Sequence, residues 1–187
     1  IGATQYGILV KSSQNALTQS YMRGSVYGAW LNPGGNFNTI SLSTMIGDVD
    51  CGFQAVGVGS NTVTQSYMWG GSTGAYISGS TGTLISLSTM IGAGEAGLYI
   101  LGADSNTVTQ SYMWGAYEGA TVYTGSDYNA ISLSTMIGAG DAGLYTLGAD
   151  FNTVTQSYMW GVYEGAGLDV GSDYNTISFS TMISDIV

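Results

Sequence analysis

Two series of carboxylates run through this chain of 187 residues, Asp50, Glu95, Glu118, Asp141 and Glu164 in one and Asp104, Asp127, Asp150 and Asp173 in the other. Every step in the second series is 23 residues, as is every step from Glu95 to Glu164 in the first. If that step is one turn of a stacked fold, each series becomes a column of carboxylates about 4.8 Å apart. Two such charges repel by about 1 kcal/mol even in water, so a column invites a counter-ion. Calcium takes hard oxygen ligands and suits the GAD and GSD turns that carry Asp104, Asp127, Asp150 and Asp173, with Glu95, Glu118, Asp141 and Glu164 as a second set. Aspartates at turns also cap backbone amides with no ion bound, and the residue types alone leave both readings open.

Other chemistries lack their parts. The chain has no His, its only thiol is Cys51 with no basic partner, and no Gly-rich loop leads into a helix, so nucleophilic catalysis and nucleotide binding are unsupported. A carboxylate pair for glycoside hydrolysis would have its residues, but these recur turn after turn instead of gathering in one cleft. No catalytic residue and no cofactor other than calcium is therefore assigned, and the chain is expected not to be an enzyme. Lys11 and Arg23 stand against 12 acids, and a net charge of −10 gives nothing with which to grip nucleic acid. No apolar run approaches the roughly 18 residues of a membrane span. Cys51 has no partner within the chain and is either a buried thiol or a candidate for a disulfide between copies.

The elements that must position these residues follow from the repeat. "NTVTQSYMWG" occupies 61–70 and returns unchanged at 106–115 and 152–161. Coils opening at Asn15, Asn38, Asn61, Thr83, Asn106, Asn129, Asn152 and Asn175 are 22 or 23 residues apart throughout. A constant step without helical periodicity is the mark of a parallel β-solenoid, whose coils bury their faces only against one another. The fold expected is all-β, about eight coils of 23 residues forming one repeat domain over 1–187. Counted from Asn15, it has a half coil at 1–14, seven full coils over 15–174 and a half coil at 175–187. Each coil opens with an alternating run such as "NTVTQSYM", turns at a Gly, and continues through a run such as "AGLYTLG", which leaves two or three strands per coil open.

Two coil types alternate. Gln19, Gln65, Gln110 and Gln156 give way in the even coils to Leu42, Leu87, Leu133 and Phe179, and Tyr21, Tyr67, Tyr112 and Tyr158 to Thr44, Thr89, Thr135 and Thr181. All eight methionines fall at the eighth coil position, where a Met column reads as core or packing seam and not as a metal box. Asn at the first position predicts an amide ladder supporting a turn. Thr62, Thr64 and Ser66, repeated at 107–111 and 153–157, would form an outward hydroxyl lattice if Val63, Val108 and Val154 point inward.

The stretch "IGATQYGILVKSS" aligns on the second half of an even coil, and "NTISFSTMISDIV" is the first half of one. Head can then complete tail with the alternation unbroken, and neither end carries a polar cap. Ile1, Gly7, Ile8 and Val10 at one end, with Ile177, Phe179, Met182 and Ile183 at the other, are the residues expected at such a junction. The start at Ile1 fits a processed, secreted product.

Repeat length, near-identical coils, polar ladders and scarce charge resemble self-assembling extracellular β-proteins. Curlin-like fibre subunits are one group, although Gln here lies four residues after Asn in "NTVTQ", which is not the curlin spacing. In composition and repeat style the chain is similar to the amyloid-like proteins of methanogen cell sheaths. That resemblance implies an extracellular homopolymer, a filament, hoop or sheath, with Cys51 binding hoops together. Parallel β-helix polysaccharide lyases resemble it in architecture but rely on basic residues. The hydroxyl lattice is similar to that of ice-binding solenoids, and the acidic turns lack the glycine-rich nonapeptide of calcium β-rolls. A surface-binding solenoid, ice-binding or a calcium-dependent adhesin, is thus the alternative.

Overall fold

The computed structural model describes residues 4–185 as strands and turns. Three eight-stranded parallel sheets carry the chain in strict rotation. The first sheet extends from Tyr6–Val10 to Glu164–Leu168, the second from Ala16–Thr18 to Thr176–Ser178, and the third from Tyr21–Gly24 to Thr181–Ser184. One strand from each makes a rung, and eight rungs stack into a three-sided parallel β-solenoid, the fold expected. Among the described residues no helix is long and apolar enough to cross a membrane.

The run read as one alternating strand is two strands with a corner between them. Thr62–Thr64 belongs to the second sheet and Tyr67–Gly70 to the third, with Gln65 between them at φ +49°. The same left-handed residue recurs at Gln19, Leu42, Leu87, Gln110, Leu133, Gln156 and Phe179. The bend explains how Val63 and Met68, an odd number of residues apart, both point inward. It also corrects the hydroxyl lattice. Thr62 and Thr64 face outward, but Ser66 is buried in the corner, donating to the Thr64 carbonyl at 2.8 Å and accepting the Ser43 amide at 3.2 Å.

Inside, Met45, Met68, Met90, Met113, Met136 and Met159 stack in register and are fully buried. Facing them, the first sheet alternates Ala29, Phe53, Ala75, Leu98, Ala120, Leu144 and Ala166 in one column. The second sheet alternates in opposition, with Ile40, Ile85, Ile131 and Ile177 on the Ala rungs and Val63, Val108 and Val154 on the Phe and Leu rungs. Each rung therefore keeps a similar core volume, as close packing requires, and the two-coil repeat has an internal reason.

The turn from the third sheet into the first is tight because glycines meet there. A Cβ on Gly97 would lie 2.6 Å from the Trp114 amide nitrogen and 2.7 Å from the Gly119 carbonyl oxygen. At the corner between the first and second sheets stands the expected amide ladder. The Asn38, Asn106 and Asn129 amides each donate to the side-chain oxygen of the next rung's Asn at 2.8 Å.

Candidate functional site

The aspartates of the second acidic series act on backbone. Asp104 Oδ1 accepts the Asp127 amide at 2.9 Å, Asp127 Oδ1 that of Asp150 at 2.8 Å, and Asp150 Oδ1 that of Asp173 at 2.7 Å. The column thus reads along the axis as a chain of caps, each carboxylate satisfying the donor of the rung above. In the first series Glu95 accepts a hydrogen bond from the Ser72 hydroxyl at 3.2 Å. Glu118 is half-buried between Glu95 and Asp141. Burial, then repulsion from Asp141 and Glu95, pushes its carboxyl up to about 7. Asp141 and Glu164 follow on successive rungs. No group of three or more Cys, Asp or Glu side chains among the described residues is arranged to hold a metal ion.

Cys51 is 2% exposed, and its thiol donates to Asp50 Oδ1 at 3.1 Å. Burial and the adjacent Asp50 push the thiol far up, so it stays protonated. A thiol so placed is neither nucleophilic nor presented to a second copy, and the disulfide expected of it would require this turn to open.

The junction residues lie at opposite ends of the stack. Gly7, Ile8 and Val10 sit in the edge strand Tyr6–Val10. Ile177, Phe179, Met182 and Ile183 belong to the last described rung, where Phe179 is 90% and Met182 50% exposed. Ile1 lies outside the described residues.

Sequence reasoning missed the surface that the corner creates. Every acidic residue among the described residues lies in the turns around the first sheet or in its strands, and the carboxylates of Asp48 and Asp185 reach the third sheet's outer face, accepting from Arg23 at 3.0 Å and from the Trp160 indole N–H at 3.1 Å. The second sheet turns out Thr and Ser with Leu84 and Ala130, and its hydroxyls bond one another, Ser86 to Thr64 at 2.9 Å and Ser132 to Thr109 at 2.9 Å. Along the third sheet, Tyr67 and Trp69, Tyr112 and Trp114, and Tyr158 and Trp160 alternate with Thr and Ile pairs. Arg23 is the exception, and it pairs with Asp48 at 3.0 Å. The signal was present in the Gln–Leu and Tyr–Thr alternation, but without the corner its parity could not be assigned to a face.

A family model described as periplasmic copper-binding protein (NosD) matches residues 1–138. The chain belongs to the NosD family. The copper of that description finds no fitting donor set in this member. It has no His, its one thiol is buried and protonated, the Met side chains from Met22 to Met159 are buried among Ile, Val and Leu, and the exposed Met182 has no second exposed soft donor beside it among the described residues. No curated protein matches this NosD-family chain. Among solved structures, a presumed glycosyl hydrolase from Parabacteroides merdae is similar at a TM-score of 0.37 and 10% identity, over 92% of this chain and 80% of its own. The plasmid-mediated fluoroquinolone resistance protein QnrB1 is similar at 0.30 and 10% identity, over 89% of each.

Proposed function

We propose that this chain is a structural, non-enzymatic protein outside the cytoplasm, whose solenoids stack end to end into a homopolymeric filament, hoop or sheath. The observation that supports this reading is that every rung is a template for the next. Met lies on Met and Gly on Gly in register, and the amide ladder uses the same two atoms at successive rungs. A parallel strand edge so uniform accepts another rung of opposite type whichever molecule supplies it. The description of the family as periplasmic supports the location.

The test is time-resolved electron microscopy of the purified chain beside an Ile177→Pro variant. Thr176 directs its amide to the Asn152 carbonyl of the preceding rung at 2.9 Å, so Ile177, next in the strand, directs its own away from it. Proline there removes an edge donor that the monomer does not use. Wild-type rods should lengthen with time and concentration while the variant stays short. Rods that never lengthen, or a variant that lengthens equally, would overturn the reading.

A further inference from the structure

We infer that the outer face of the third sheet pairs with the same face of a second copy, antiparallel, independently of end-to-end stacking. This face is a washboard. Odd rungs carry a Tyr and a Trp, such as Tyr112 and Trp114, and even rungs a Thr and an Ile, such as Thr89 and Ile91, so ridges recur every two rungs, about 9.6 Å. Grooves between ridges are flanked at the corner by Leu87, which is 52% exposed.

The aromatic rings elsewhere show what is unusual here. Tyr128, Phe151 and Tyr174 occupy consecutive rungs and stack on one another at 5.1 and 4.9 Å with 6° between ring planes. Their π faces are used within the chain. On the third sheet each Trp is separated from the next by an Ile rung, and among the described residues no such ring pair forms between them. The faces of those rings are left for a partner, although the Trp160 N–H is already donated to Asp185 at 3.1 Å, and Tyr and Trp are the residues that most often anchor interfaces.

The occupant follows from charge and geometry. The chain carries −10 overall, and a second copy can approach closely only where carboxylates are fewest, which is the side turned away from the first sheet, where Asp48 and Asp185 are already held by Arg23 and by the Trp160 indole N–H. A two-fold axis across the solenoid axis sets rung one of one copy against rung eight of the other. Every odd rung then faces an even one, so ridges enter grooves along the whole overlap. Trp114 meets Ile91 of the second copy, Trp69 meets Ile137, and Trp160 meets Ile46. Eight rungs at about 4.8 Å by a width of roughly 16 Å give about 600 Å² per copy, the lower bound of a stable interface, closed by symmetry.

The experiment is sedimentation equilibrium of the wild-type chain and of a triple variant, Trp69→Ile, Trp114→Ile and Trp160→Ile, with particle width measured by electron microscopy. Isoleucine already occupies the equivalent position in the neighbouring rungs, so the variant folds, which circular dichroism checks. Wild type should form two-wide objects, and the variant should pair at least 100-fold more weakly and give one-wide objects. End stacking changes length and not width, so the two processes are read separately. In a Cys51→Ala background, mixed Ile91→Cys and Trp114→Cys chains should form a disulfide-linked pair. One-wide wild-type objects, unchanged pairing of the triple variant, or no such cross-link would overturn the inference.

Discussion

Replacing Thr83 by Asn should stabilise the solenoid. At this rung alone among the seven that follow another, the amide ladder is interrupted: the Asn38, Asn106, Asn129 and Asn152 amides each donate to an Asn oxygen one rung on, but Asn61 faces Thr83. The Thr83 hydroxyl is buried without a hydrogen-bond partner. The step is one residue short here, 22 between Val58 and Ser80 against 23 between Asn38 and Asn61. The missing residue lies between Ser78 and Gly79, where the equivalent rung has Thr124 between Tyr123 and Gly125, but the step from the left-handed glycine to the ladder position is kept, Gly79 to Thr83 as Gly102 to Asn106, and the strand register beside Thr83 is unbroken on both sides. An Asn would therefore enter an undistorted slot. One hydrogen bond gained contributes about 1 kcal/mol and one buried orphan removed about 1–3, against up to about 1.5 for ordering a longer side chain. The net is about 1–2 kcal/mol, or roughly 4 °C in Tm for a chain of this size. The reverse change, Asn106→Thr, gives up bonds to the Thr83 amide at 2.9 Å, the Ser80 carbonyl at 3.2 Å and Asn129 Oδ1 at 3.1 Å and should cost about 3 kcal/mol. Differential scanning calorimetry of both variants decides it. A Tm for Thr83→Asn at or below wild type would refute the ladder as a source of stability.

Gly97→Ala should prevent native folding or cost more than about 3 kcal/mol, because the new Cβ meets backbone on two sides and neither neighbour can move alone; urea titration measures it. Stability should fall as pH rises from about 4.5 to about 7. Glu118 has a carboxyl raised to about 7 in the fold against 4.5, so the folded chain holds more protons than the unfolded one across that window and loses them on the way up. Glu118→Gln should flatten that part of the Tm profile and raise Tm at neutral pH, and an unchanged slope would count against the burial of that carboxylate. Calcium at millimolar concentration should shift Tm by less than about 2 °C, as expected where Asp104, Asp127 and Asp150 already accept backbone amides. A larger rise would favour the calcium-binding reading of these columns.

The solenoid was legible because a period of 23 needs no conformational detail: in-register stacking turns it directly into columns, and the Met and Asn columns followed at once. The corner was not legible. Gln, Leu and Phe at φ near +50° violate local preference, which reserves that region for Gly and Asn, and each such residue costs about 1–2 kcal/mol. A reader of "NTVTQSYM" sees unbroken alternation and has no reason to bend it. The placing of Ser66 inside and Tyr67 outside turns on that one dihedral. The fate of Cys51 was illegible for a different reason, since exposure of a turn residue depends on the turn packed beside it.

Inside and outside, the two-coil repeat answers separate requirements with one parity. Core columns need a large side chain over a small one, so that Leu98 fills space above Ala75 and below Ala120. On the third sheet an aromatic ring on every rung would stack on its neighbours, as Tyr128, Phe151 and Tyr174 do, and would present a ribbon of ring edges. Interposing Thr and Ile keeps the ring faces apart and cuts grooves of matching depth. Because the Leu rungs of the core carry the Trp ridges of the surface, any slip of register by one rung spoils both patterns together. A strand edge that rejects odd slips stacks only with the alternation preserved, and a stack with the alternation preserved carries its washboard across every junction.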